Sequence, residues 1–131
     1  AAFALLGVWS GWHGRTWPTW FSLVGLPAGF LLVLLGGDLG TVLAGEVLFG
    51  LAAGLTYFAA LYYAVVVKNA AVDAGGKHES LIGLGFAIGP LAGLFGHQTV
   101  GLTGSYEVGV LLGIAPVMLA CGLASLLTLP R

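Results

Sequence analysis

Charge is what this sequence has least of. Of 131 residues only four are Lys or Arg and five are Asp or Glu, 7% in all, where a water-soluble domain carries about 25%. So few charges cannot wet a folded exterior, which excludes an ordinary soluble globule. The formal net charge of -1 leaves no basic footprint, so nucleic acid is not an expected partner. A single cysteine, Cys121, cannot pair within the chain, which excludes a disulfide scaffold. Metal chemistry lacks a ligand set too: His13 and His78 are expected at one membrane side and His97 near the other, whereas ligands must converge. The KHES segment, Lys77–Ser80, lacks the second histidine one turn later that a zinc-protease helix needs. No phosphate loop, nucleophile triad or haem motif occurs, so neither a cofactor nor an enzyme is expected.

Apolar residues are what remain, at 59% of the chain with mean hydropathy +1.05. Four stretches free of Asp, Glu, Lys and Arg run from Thr16 to Gly37, Val47 to Val67, Ser80 to Tyr106 and Val108 to Pro130, or 22, 21, 27 and 23 residues. A bilayer core of about 30 Å takes about 20 helical residues, so each is long enough to cross. A spanning strand needs only about 9 to 11 residues and alternates in polarity, which these do not. The sequence predicts an all-α integral membrane protein with helices over 17–37, 41–67, 79–99 and 107–129. Residues 1–10 (AAFALLGVWS) read as the end of a fifth helix whose beginning lies outside the sequence.

Chain direction places the 11–16 turn, the 68–77 turn and the C-terminus on one side. All four basic residues, Arg15, Lys68, Lys77 and Arg131, fall there, and the opposite turns hold no Lys or Arg. The positive-inside rule makes that side cytoplasmic, in a plasma or bacterial inner membrane. Trp9, Trp12, Trp17 and Trp20 cluster around the first cytoplasmic turn and read as a belt at headgroup level. Glu79 is expected to favour the start of the third full helix through its dipole. Asp73 and Lys77 are spaced i, i+4 and are expected to pair if their turn is helical, or else to stand in a solvated turn.

Glu46 stands out, because an ionisable group inside a span is a functional candidate by default. Helical spacing from Glu46 gathers Gly50, Ala53, Gly54, Tyr57 and Ala60 on one small and polar face. Gly50 and Gly54 form a GxxxG step for close helix approach. Glu46 reads either as a solute or proton site or as an acid reaching interfacial water. Tyr57 reads as a cavity donor or as a buried tyrosine bonded to a neighbouring carbonyl. In the third full helix Gly85, Gly89 and Gly93 recur every four residues and Pro90 follows Gly89. That pattern gives a flat groove with a bend, suited to static packing or to one bundle rocking against another.

Three of these segments resemble signatures of the major facilitator superfamily (MFS). Gly76, Gly85, Gly89, Pro90 and Gly93 are similar to the glycine-proline signature of the fifth helix of its antiporters, with Leu94 where the family has a glycine. The segment GVWSGWHGRT, Gly7 to Thr16, resembles the cytoplasmic loop signature through Gly7, Ser10, Gly14 and Arg15, with Gly11, Trp12 and Thr16 at the family's charged positions. EVLFGLAAG resembles the fourth-helix signature through Gly50 and Gly54, with Glu46 where an arginine is usual.

The resemblance implies that 1–131 is part of an MFS-like half-bundle, from the first six-helix half or the second, the eroded loop favouring the second. It implies a secondary transporter moving a small solute by alternating access, with Glu46 and Tyr57 at the solute or proton site and Gly85 to Gly93 as the sliding contact. Its partners would be the lipid bilayer, the remaining transporter helices and the solute. The alternative is a small four-helix membrane scaffold or accessory subunit that oligomerises through its glycine faces.

Overall fold

A computed structural model of the chain describes residues 6–67 and 72–128, which are overwhelmingly helical and contain no strand. Residues 6–8 are helical and lead through a turn to α1 (Trp17–Leu35), then α2 (Leu39–Tyr62), which continues as a π-turn (Tyr63–Val67). α3 (Val72–Gln98), the single turn α4 (Val100–Thr103) and α5 (Tyr106–Thr128) follow. α1, α2 with the π-turn, α3 and α5 each contain a segment long and apolar enough to cross a membrane. Their apolar side chains are with few exceptions exposed or half-buried, Phe86 at 77% and Leu127 at 83% exposed among them. Such exposure is intolerable in water over so many residues but ordinary against lipid.

The chain divides into two compact units, Ala1–Gly75 and Gly76–Arg131. The first is the α1/α2 hairpin. Pro18 stands in the first turn of α1, where a missing N–H costs nothing. Asp38 starts α2: its carboxylate accepts the Thr41 N–H at 3.0 Å and the Thr41 hydroxyl at 2.6 Å. The helices cross on small residues. A Cβ built on Gly29 would lie 2.6 Å from the Phe49 nitrogen, and one on Gly45 would lie 2.8 Å from Leu32 Cβ, so only glycine permits this approach. Gly25 meets Ala52 on the same seam, and the Ser22 hydroxyl donates to the Ala52 carbonyl at 3.4 Å.

The second unit repeats the device with other residues. Its α3/α5 crossing is made by Gly96 against Gly109 and Gly113. A Cβ on Gly109 would stand 2.7 Å from the Gly96 carbonyl, and one on Gly113 would stand 2.8 Å from Gly96 Cα. Gly104, at φ 71, closes α4 in the left-handed region, its N–H donating to the Val100 carbonyl at 2.8 Å.

Three sequence expectations change. The third full helix starts at Val72, seven residues before the expected 79, because AAVDAGGKHES contains no proline and its paired glycines weaken a helix without stopping it. Glu79 therefore stands two turns inside α3, beyond the reach of the end charge of the dipole. Lys77 is likewise on a helix, so for its backbone the helical alternative holds and the solvated turn does not. Of the residues used for orientation, Lys68 and Arg131 lie outside the described residues, as does the side chain of Asp73.

Candidate functional site

Glu46 lies seven residues into α2, about 10 Å along its axis at 1.5 Å per residue. Its carboxylate is exposed and forms no ion pair or hydrogen bond among the described residues. Gly45 beside it is buried in the α1 crossing, so the 100° step between neighbours turns Glu46 away from α1. One turn on, Gly50 is exposed, with nothing within 4 Å of a built Cβ. Ala53, Gly54 and Tyr57 continue this face and are half-buried. Tyr57 is eleven residues from Glu46, about 16 Å along the helix. The two share a face but stand at different depths, so they cannot hydrogen-bond to each other.

Five of the six glycines singled out for packing or rocking stand apart from both crossings. Gly50, Gly76, Gly85, Gly89 and Gly93 each have open space where a Cβ would go, and Pro90 is exposed within an unbroken α3. The tight seams use Gly25 and Gly29, and Gly109 and Gly113, two GxxxG steps absent from the sequence expectations although their spacing, identical to that of Gly50 and Gly54, carries the same signal.

The loop of residues 9–16 is mostly exposed but seats one large, fully buried side chain. Trp12 is fully buried among Leu6, Leu55, Phe58, Tyr62 and Tyr63. It is therefore not a belt residue, because its ring fills the gap between the loop and the end of α2. Trp9 and Trp20 are exposed and keep the belt reading available, and Trp9 packs on Trp17 at 5.8 Å. Of the loop-signature residues, Gly14 has φ +68, which glycine adopts without strain, and its N–H donates to the Tyr63 hydroxyl at 2.8 Å. Gly7 and Arg15 are exposed.

Outside the spans, the Thr41 hydroxyl and then the Thr41 N–H hold the Asp38 carboxyl below its ordinary range. Among the described residues no three His, Cys, Asp or Glu side chains gather to hold a metal ion. His13 stacks on Tyr62 and His97 meets Tyr106 edge-on, each in an aromatic setting. No protein-family model, curated protein or solved structure matches the chain.

Proposed function

We propose that the chain is a portion of a secondary transporter that moves a small solute by alternating access, and that Glu46 serves its solute or proton site. The observation that carries this reading is an exposed carboxylate about 10 Å into an apolar helix with an open glycine one turn beyond. An acid at such depth belongs against a protein interior or a water-filled cavity. Alternating-access carriers build their cavities between helix bundles at mid-membrane. The resemblance of the loop, the α2 face and the glycine-proline helix to MFS signatures supports the same reading, with an MFS-like half-bundle as its fold. Tyr57, deeper along the face, is assigned to the cavity wall and not to a direct bond with Glu46. The open Gly85, Gly89, Pro90 and Gly93 face of α3 is assigned to the moving contact with the remaining helices. On this reading the portion alone does not transport, because the rest of the cavity wall is missing, and its role is not enzymatic.

In the complete transporter, Glu46→Gln is expected to abolish proton-driven solute uptake in vesicles while leaving the protein in the membrane. Uptake that is unchanged and still driven by a pH gradient would exclude the role. The open glycine face of α3 also favours the second reading, a scaffold or accessory subunit that oligomerises there. A Gly89→Cys variant, with Cys121→Ser, that cross-links to a second copy of itself in vesicles supports the scaffold. Coding sequence for further spanning helices upstream supports the transporter.

A further inference from the structure

The end of α2 contains a break in register that its own sequence does not impose. Residues 55–67, LTYFAALYYAVVV, contain neither proline nor glycine, the usual interrupters of a helix. Regular α geometry nevertheless ends at Tyr62, and Tyr63–Val67 continues as a π-turn. A π-turn closes i→i+5 bonds and so accommodates one residue more than an α-turn.

Tyr62 and Tyr63 stand at the boundary where the π-turn begins, and both engage the 9–16 loop. Tyr62 stacks on His13 with centroids 4.2 Å apart and rings 10° from parallel, and meets Trp12 edge-on at 4.9 Å. Tyr63 meets Trp12 edge-on at 6.1 Å, and its hydroxyl accepts the Gly14 N–H at 2.8 Å. Trp12 in turn is tied to the preceding helical turn, its indole N–H donating to the Leu6 carbonyl at 3.2 Å.

We infer that the 9–16 loop holds the π-turn in place, with Trp12 as the plug and the Gly14–Tyr63 hydrogen bond as the tie. Release of the loop returns Tyr63–Val67 to α geometry. Losing the extra residue then turns the far end of that segment, at Val67, by about 100° around the helix axis. The loop is thereby a conformational device: its seating sets the rotational phase of the last helical turn, Tyr63–Val67. The device needs no charge, in keeping with a loop whose only formally charged residue is Arg15. It goes beyond the transporter reading and does not depend on it.

Nitroxide scanning tests the inference on the full 131-residue chain, in the Cys121→Ser background and in phosphatidylcholine vesicles. Single labels are placed from 44 to 67, omitting the seam positions 45 and 52 and the loop-contacting positions 55, 58, 62 and 63, and collision with oxygen is read at each. With the loop seated, the accessibility phase advances regularly through 61 and slips by about 100° across 63–67. In the Trp12→Leu/Tyr63→Phe variant the slip is expected to vanish while the phase over 44–54, set by the crossing with α1, is unchanged. A slip that persists in that variant overturns the inference. A second variant covers failure of the first to fold: Val65→Ala/Val66→Ala/Val67→Ala leaves the loop contacts intact and is expected to keep the slip. Its loss there overturns the inference by assigning the turn to the β-branched run itself.

Discussion

Asp38 has the clearest local chemistry of any single residue, because both of its bonds to Thr41 favour the charged carboxylate. A carboxyl held below its usual range in the folded state, and not in the unfolded one, contributes stability above the unfolded value and loses it as pH falls. Removing it with Asp38→Ala should therefore lower the melting temperature at neutral pH. The gap between the two proteins should hold down to about pH 5 and close below about pH 4, as the wild-type carboxylate takes up its proton. Circular-dichroism melts in detergent micelles from pH 7 to pH 2.5 check this, and a gap that is flat across the range would detach Asp38 from the start of α2. Residue-scale features differ in how legible they were. Glu46 announced itself, because an acid among apolar residues needs no structure to be noticed. Trp12 did not, since a tryptophan at a membrane end reads the same whether it anchors in headgroups or plugs a turn. The difference lies in Phe58, Tyr62 and Tyr63, brought to it from about fifty residues away.

At the scale of elements, the four long helices were readable from their apolar runs, and the corrections are confined to their ends. α3 begins early because nothing in residues 72–78 forbids a helix, and α2 runs on as a π-turn beside loop contacts that no local pattern encodes. Which glycines make the seams was harder to read. GxxxG steps at 25–29, 50–54 and 109–113 look alike in sequence, and only the fold shows that the first and third are closed while Gly50 stands open. Gly29→Ala should then destabilise the α1/α2 hairpin by about 1–3 kcal/mol, because its methyl would meet the Phe49 backbone and neither helix can retreat without opening the seam. Gly50→Ala meets nothing and should change stability by less than about 1 kcal/mol, with better helix propensity in its favour. All four tryptophans lie in this unit, so their emission during denaturation in mixed micelles reports its opening directly. Equal effects of the two substitutions would refute the assigned seam.

At the scale of the whole molecule, each unit holds a helical hairpin closed on small residues, and the surface left over is apolar almost everywhere. A chain of this kind resides in lipid, where packing at the seams replaces the hydrophobic effect as the force joining helices. α1 at 19 residues is about 28 Å long, close to the hydrocarbon thickness of about 30 Å, so its two ends fall at opposite interfaces. Arg15 lies just before one end and Gly37 just beyond the other, and both are exposed. Basic residues are retained on the cytoplasmic side, and Arg15 is the only Lys or Arg among residues 1–67. With Cys121 replaced by Ser, a cysteine at position 37 should react with a membrane-impermeant maleimide added to intact cells, and one at position 15 only after permeabilisation. Position 15 carries its own test of the rule, because the cysteine removes the charge that is meant to orient the hairpin. A Gly14→Cys variant that keeps Arg15 should therefore give the protected pattern at least as cleanly. The reverse labelling, open at 14 and closed at 37, would invert the hairpin and place the buried Trp12 loop on the outer face.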